Sequence, residues 1–302
     1  AFMFDITDLI RNGENTITVR ADYRCPNSRW YSGAGIYRKV WLCESSEVRF
    51  GNDGIYISSK KTENGWDVSV TSEMLRPHGM PLAGVRIKST VLDAEVNIAS
   101  SCESDACAAG ISCIPEAVRE NNVSYSATTQ KMTVTAPVLW DIENPYLYTL
   151  VSEIIVNGDT VQRKEQHFGF RTIEFTADHG FFLNGRHVKL HGSCEHHDNG
   201  CLGAVSNIAA LRRRFRKLRE MGVNAIRTSH NMPAEELMDL ADETGMLILS
   251  EGFDMWERSK TDYDYARFFD AWVEKDVASW VRRDRNRPSI IGWSVGNEIF
   301  DT

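Results

Sequence analysis

Val188-Lys189-Leu190, Ala225-Ile226-Arg227, Met246-Leu247-Ile248-Leu249 and Ile290-Ile291-Gly292-Trp293-Ser294-Val295 are four short apolar runs separated by three stretches of helical spacing. In the first stretch, Asn207 to Met221, residues Ile208, Leu211, Phe215 and Leu218 fall on one face, and Gly222 stops the helix. The second opens at Pro233, carries Glu235 and Glu236 where the helix dipole favours anions, and closes at Gly245. The third carries Phe269, Trp272, Val273, Asp276, Val277 and Trp280, whose aromatic residues read as core. Strands alternating with helices predict parallel βα units. A doubly wound sheet and the first half of an eight-stranded barrel both fit. In either, ligands gather beyond the carboxyl ends of the strands. That rule selects His191 to Asp198, Thr228 to Asn231, Glu251 to Trp256, and Asn297-Glu298.

Upstream, from Glu44 to Phe175, the rhythm is of short strands between turn signals. Trp66-Asp67-Val68-Ser69-Val70, Gly84-Val85-Arg86-Ile87, Lys131-Met132-Thr133-Val134 and Tyr148-Thr149-Leu150-Val151 predict an antiparallel, immunoglobulin-like sandwich that folds alone and carries no chemistry. Ser100 to Ser112, rich in small residues and cysteines, reads as a loop. Residues 1–43 alternate in the strand manner at Thr16-Ile17-Thr18-Val19-Arg20 and Tyr37-Arg38-Lys39-Val40-Trp41-Leu42, and read as the end of a β domain. The expected organisation is therefore 1–43, 44–175 and 176–302, with the last a parallel βα unit.

The 302 residues carry a net charge of -8, which argues against a phosphate-backbone binder. The basic run Arg212, Arg213, Arg214, Arg216, Lys217 and Arg219 reads as the solvated face of the first helix rather than a nucleic-acid patch. No apolar run approaches the roughly 20 residues a membrane helix needs. Ala1-Phe2-Met3-Phe4 does not resemble a signal peptide, so any targeting segment is expected upstream. Seven scattered cysteines do not form a disulfide framework, although Cys25 and Cys43 could pair in an oxidising compartment. Asn122-Val123-Ser124 is a short glycosylation sequon.

Among the strand-end segments, Glu298 follows the fourth strand directly, where a carboxyl group could protonate a leaving oxygen; Asn297 beside it suits a sugar hydroxyl. Arg227 within the second strand needs a carboxylate partner, because its charge cannot be shed. His230 lies just beyond it. His191, Cys194, Glu195, His196, His197 and Asp198 form the densest donor cluster, but without zinc-ligand spacing, so a polar loop at a sugar pocket is expected and no metal. Glu251, Asp254 and Trp256 combine carboxylates with an aromatic face, as a sugar ring requires.

Together these segments resemble glycoside hydrolase family 2, the family of β-galactosidases, β-glucuronidases and β-mannosidases. The resemblance runs in order through Phe4-Asp5-Ile6-Thr7-Asp8-Leu9, Gly35-Ile36-Tyr37-Arg38, Glu143-Asn144-Pro145-Tyr146, Phe168-Gly169-Phe170-Arg171, Phe182-Leu183-Asn184-Gly185, Asn224 to His230, and Trp293-Ser294-Val295-Gly296-Asn297-Glu298. It implies a multidomain β plus α/β fold: the end of a jelly-roll sugar-binding domain, an immunoglobulin-like β-sandwich, and the first half of a (β/α)8 TIM barrel. It implies Glu298 as general acid/base, Asn297 at the sugar 2-hydroxyl, Arg227 orienting the nucleophile and His230 near the sugar. Asp254, Trp256, His197 and Asp198 complete the expected carbohydrate contacts. Retaining hydrolysis is implied, without cofactor, on a small-molecule carbohydrate; an oligomer is possible in the longer protein. The family's nucleophile lies on a later strand, so both ends are expected to be cut, and the piece alone is expected to be inactive. Gly192-Ser193 and Asn286-Arg287-Pro288 depart from the family's usual residues. Gly296-Asn297-Glu298 and Glu251-Gly252-Phe253-Asp254-Met255-Trp256 favour β-galactosides, with a β-glucuronidase or another β-glycosidase as the alternative. Two rivals from other classes are a non-catalytic carbohydrate-binding protein and a metal-dependent hydrolase.

Overall fold

The computed structural model describes residues 3–107, 114–120 and 123–300. Asn122 of the sequon lies outside the described residues.

Two antiparallel sheets face each other in the sandwich. One has the order β1 (Arg49–Thr62), β2 (Gly65–Pro77), β5 (Val123–Val134). The other runs β4 (Ile98–Asp105), β3 (Val85–Leu92), β6 (Tyr148–Val156), β7 (Asp159–Phe168). Alternation decides which side chains go in: along β2, Trp66, Val68 and Val70 are buried while Asp67 is exposed. These meet Ile55, Ile57, Leu150, Ile154, Phe168 and Phe170 in one core. The expected loop from Ser100 is a correction. Ser100 to Asp105 belong to β4, paired to β3 through Ser101↔Thr90 and Glu103↔Lys88, and residues 108–112 fall outside the described residues. Small polar residues suit an edge strand whose burial is slight, so an apolar count misses them.

A small sheet of β8 (Ile173–Thr176), β9 (Gly180–Leu183) and β10 (Arg186–His187) leads into four parallel strands ordered β11 (Gly192–Glu195), β12 (Ala225–Thr228), β13 (Leu247–Glu251), β14 (Ile290–Ser294). Helices α1 (Ile208–Glu220), α2 (Glu235–Thr244) and α3 (Phe269–Asp284) connect successive strands. The Asn207 side chain caps α1 by accepting from the Ala210 N–H. Gly245 ends α2 at φ 71°, and a Cβ there would stand 2.3 Å from the Ile142 carbonyl oxygen. Leu211, Phe215 and Leu218 bury against Leu237, Leu240, Ile226 and Ile248.

Four expectations need correcting. The first parallel strand is Gly192–Glu195, not Val188-Lys189-Leu190: Val188 donates its N–H to the Phe181 carbonyl and plugs the end of the sheet with Trp140, Leu183 and Leu247. Helix α2 begins at Glu235, two residues beyond Pro233. Of the α3 aromatics, Trp280 is buried but Trp272 is 36% exposed. The basic face of α1 is only partly solvated, since Arg214 turns inward to Glu195 and the His196 carbonyl, and Arg219 to the carbonyls of Ile142 and Thr244.

Between residues 3 and 47 no strand forms among the described residues; Thr7–Leu9 is a 3₁₀ turn. A strand needs a neighbour to take up its N–H and C=O groups. Among the described residues Thr16 to Arg20 and Tyr37 to Leu42 have no strand alongside, only the Ser206 N–H on the Tyr37 carbonyl, and Ile17, Val19, Val40, Trp41 and Leu42 stay exposed. The segment docks on the βα unit instead. Arg38 donates to the Met232 carbonyl, Lys39 pairs with Glu236, and the Pro26 carbonyl accepts from the Tyr263 N–H.

The sandwich and βα unit are tied by buried polar contacts. Arg282 donates to Glu73 at 2.8 Å, and the Asn286 amide bridges the Ile57 N–H and Ile55 carbonyl of β1. Trp140 donates its indole N–H to the Asp242 carbonyl at 2.8 Å.

Candidate active site

The parallel register sets the site. Cys194 pairs with Arg227, and Glu251 with Ser294, so these residues line the carboxyl ends of adjacent strands. Glu251 is 0% exposed. It accepts from Arg227 Nε at 2.7 Å, His230 Nδ1 at 2.6 Å and Ser294 Oγ at 2.7 Å. The carboxylate that Arg227 requires is therefore Glu251. Burial works against the guanidinium's charge, yet the Glu251 bond holds the Arg227 pKa above its ordinary value. With Nδ1 engaged by the carboxylate, Nε2 is the ring's remaining polar atom.

Arg227 Nη2 also donates to Asn297 Oδ1 at 2.8 Å, and Asn297 Nδ2 donates to Asp254 Oδ1 at 2.8 Å. One of the two Nδ2 hydrogens is used in this way. Asp254 is 3% exposed, and its Oδ1 also accepts from Arg29 at 2.9 Å and Lys260 at 3.1 Å. Burial raises the pKa of such a carboxyl, but the donors Asn297, Lys260 and Arg29 outweigh it and hold Asp254 below the usual value. Its second oxygen is buried with no partner among the described residues. Glu298 stands above this layer, 58% exposed, at φ 48°. Arg29 Nη2 bonds its Oε2 at 3.1 Å.

The structure thus gathers Glu298, Asn297, Arg227, His230 and Asp254 into one connected array. Trp256 borders it: its indole N–H donates to the Val295 carbonyl and its ring stacks on Phe269. His197 and Asp198 lie outside it. The His197 ring turns towards Tyr37 and lines a separate small cavity with Arg38, while Asp198 accepts from the Gly200 N–H and is exposed. His196, its neighbour, lines that cavity too but also reaches the array, with its ring 5.1 Å from His230 and 4.8 Å from Trp30. Burial and nearby His230 lower its pKa. The donor cluster expected at this loop diverges, and among the described residues no three His, Cys, Asp or Glu side chains are grouped to hold a metal. Cys25 and Cys43 are both free.

Sequence reasoning gave His196 no role beyond the loop cluster and missed Arg29, Trp30 and Lys260. Only the irregular Cys25-Pro26-Asn27-Ser28-Arg29-Trp30 stretch hinted at Arg29 and Trp30, because a Pro-Asn-Ser turn can project the side chains that come directly after it.

Residues 53–171 match the family model described as glycosyl hydrolases family 2, and residues 174–301 match that family's TIM barrel domain. The chain belongs to glycoside hydrolase family 2. It is 41% identical over its full length to β-galactosidase BoGH2A of Bacteroides ovatus, of which it covers 34%. To a β-glucuronidase of Bacteroides fragilis it is 27% identical over 99% of its length, covering 43% of that protein. A family 2 structure from Bacteroides cellulosilyticus superposes with a TM-score of 0.82 at 34% identity, over 98% of this chain and 38% of that one. The chain thus spans less than half the length of these curated relatives. The family match makes the four parallel strands the start of a TIM barrel domain, following the family's sandwich.

Proposed function

We propose that the protein hydrolyses terminal non-reducing β-galactosides by a retaining double displacement, with Glu298 as general acid/base. The observation that carries this reading is the position of Glu298. It is a half-exposed carboxyl in the turn just beyond β14, directly beside an array in which Glu251 and Asp254 are already engaged. An exposed carboxyl at the strand mouth can give a proton to a leaving oxygen and later take one from water. Glu251 is sealed under Arg227, His230 and Ser294, which suits it to holding those groups rather than attacking a sugar. The nucleophile is then a further carboxyl about 5–5.5 Å from Glu298, as retention requires.

In this reading Arg227 and His230 face the sugar from β12, and Arg227 orients the nucleophile. Asn297 offers its second amide hydrogen to the 2-hydroxyl, and Asp254 accepts a hydroxyl at its free oxygen. Trp256 and Trp30 supply apolar walls. His196, rather than His197 or Asp198, faces the sugar. Residues 1–43 contribute as the end of a jelly-roll sugar-binding domain, 44–175 as the sandwich and 176–302 as the opening half of the barrel. The partner is a small carbohydrate rather than nucleic acid or membrane, and the working protein can be an oligomer. Galactosides are preferred because BoGH2A, the 41% identical relative, is named a β-galactosidase. The second reading, a β-glucuronidase, is supported by the B. fragilis relative of that name.

The test is Glu298→Gln in the active protein, assayed on aryl β-galactosides and β-glucuronides of graded leaving-group ability. Turnover of the poorest leaving groups should fall by about 10²–10⁴-fold. The most activated substrate needs little protonation and should lose far less in its glycosylation step. Equal losses across the series would remove Glu298 from the role, and turnover confined to glucuronides would select the second reading.

A further inference from the structure

Lys260 belongs to none of the motifs above, yet its ammonium lies at the centre of the strand-end array. The loop between β13 and α3 delivers it. Asp264 folds that loop by accepting the backbone N–H groups of Lys260 at 2.7 Å, Thr261 at 2.8 Å and Ala266 at 3.1 Å. The Lys260 side chain is 5% exposed. Its Nζ donates to the Asn297 carbonyl at 2.7 Å and to Asp254 Oδ1 at 3.1 Å, and stands 3.9 Å from Glu298 Oε2. A buried ammonium is costly unless acceptors and opposite charge meet it, and here two oxygens accept from it while the Glu298 carboxylate stands within ion-pair range.

The carbonyl it holds belongs to the peptide that leads into Glu298. Glu298 has φ 48°, in the left-handed region that a non-glycine residue enters only at a cost in backbone strain. Such a conformation persists only where its surroundings fix it. Asn297 is fixed on its other sides by the Phe253 carbonyl, which takes its N–H, and by Arg227 and Asp254 on its side chain. Lys260 supplies the remaining hold, on the one backbone oxygen between Asn297 and Glu298. Arg29 also reaches Glu298, but it is about half exposed and comes from a remote segment.

We propose that Lys260 is a positioning residue for Glu298. It pins the Asn297 carbonyl so that the left-handed turn holds, and its charge draws the Glu298 carboxylate towards the strand ends. The inference rests on reading Glu298 as the acid/base. A side chain that merely neutralised Asp254 would affect all substrates alike. One that aims the acid affects those that need the acid.

Lys260→Ala and Lys260→Met, made in the active protein beside Glu298→Gln, separate these roles. With a poor leaving group, kcat should fall about 10²-fold, the lower end of what a general acid contributes, while KM changes less than about twofold. An activated dinitrophenyl glycoside should lose less than about tenfold. Propylammonium added to Lys260→Ala should restore at least about tenfold of the lost turnover, since it refills the space with an ammonium. Should Lys260→Ala fail to fold, Lys260→Met keeps the aliphatic stem and must show the same leaving-group dependence. Equal losses on both substrates, without an amine effect, overturn the proposal. If Glu298→Gln itself lacks leaving-group dependence, the acid/base reading fails; if Glu298→Gln shows it and the Lys260 variants do not, only the role of Lys260 falls.

Discussion

In the sandwich, Ser72, Ser89, Ser126 and Ser152 are fully buried and their hydroxyls have no partner among the described residues, whereas at the barrel mouth the equally buried Glu251 takes bonds from three side chains. A lone hydroxyl costs about 1–3 kcal/mol, which a large apolar core absorbs. A lone buried carboxylate costs far more and must be matched. The sandwich is therefore held by apolar packing around Trp66, Leu150, Phe168 and Phe170, and the mouth by an array in which each charge has an assigned partner. Damage to the first should cost stability alone; damage to the second should cost stability and chemistry together.

Arg227→Met gives the largest expected effect. It takes the guanidinium partner from the buried Glu251 carboxylate, leaving only His230 and Ser294, and releases Asn297, so stability should drop by about 3 kcal/mol and turnover should be lost. Denaturant melts and kcat on the same preparation check this; a variant as stable as the parent would erase the contrast between the two regions. Leu150→Ala in the sandwich should cost about 2–5 kcal/mol by leaving a cavity. Its kcat per folded molecule should match the parent's, and a lowered kcat would mean that the sandwich core shapes the mouth through Arg282 and Glu73.

His197 gives the smallest effect and sharpens the boundary of the site. Burial, then Arg38 and His196, hold its pKa below the ordinary 6.5. Between that lowered value and 6.5 the unfolded chain binds more protons than the folded one. Stability should therefore be full above pH 6.5 and decline as pH falls through that window. His197→Asn should flatten this acid slope while leaving kcat intact, as stability melts across pH and an assay at neutral pH would show. A large loss of turnover would return His197 to the sugar site.

Much of this was legible in the sequence, for physical reasons that also mark where legibility ends. The parallel strands β12, β13 and β14 announced themselves through apolar runs between amphipathic helices, and Arg227 had to find a carboxylate because a guanidinium keeps its charge. Placing Glu298 at the mouth followed from strand-end topology. The first parallel strand did not follow, since Gly192-Ser193-Cys194-Glu195 has no apolar pattern and the apolar Val188 serves as a plug. His196 and His197 are adjacent in irregular backbone, where neither the 2-residue nor the 3.6-residue period says which ring faces inward. Arg29 reaches the site across 225 and 269 positions of chain, and Trp30 meets His230 from comparably remote sequence, a closeness that folding creates and no local pattern records.

The central claim is that Glu298 serves as acid/base opposite a separate nucleophile, with Glu251 and Asp254 occupied in holding the array. The most direct measurement is the configuration of the product formed by Glu298→Gln from an activated aryl β-galactoside in the presence of azide. Azide needs no general base and should intercept the glycosyl-enzyme from the face the aglycone left, giving the β-galactosyl azide, which NMR identifies by its anomeric coupling. The α-galactosyl azide would mean direct displacement in an inverting site, and absence of any azide product with unchanged turnover would mean that Glu298 is not the acid/base.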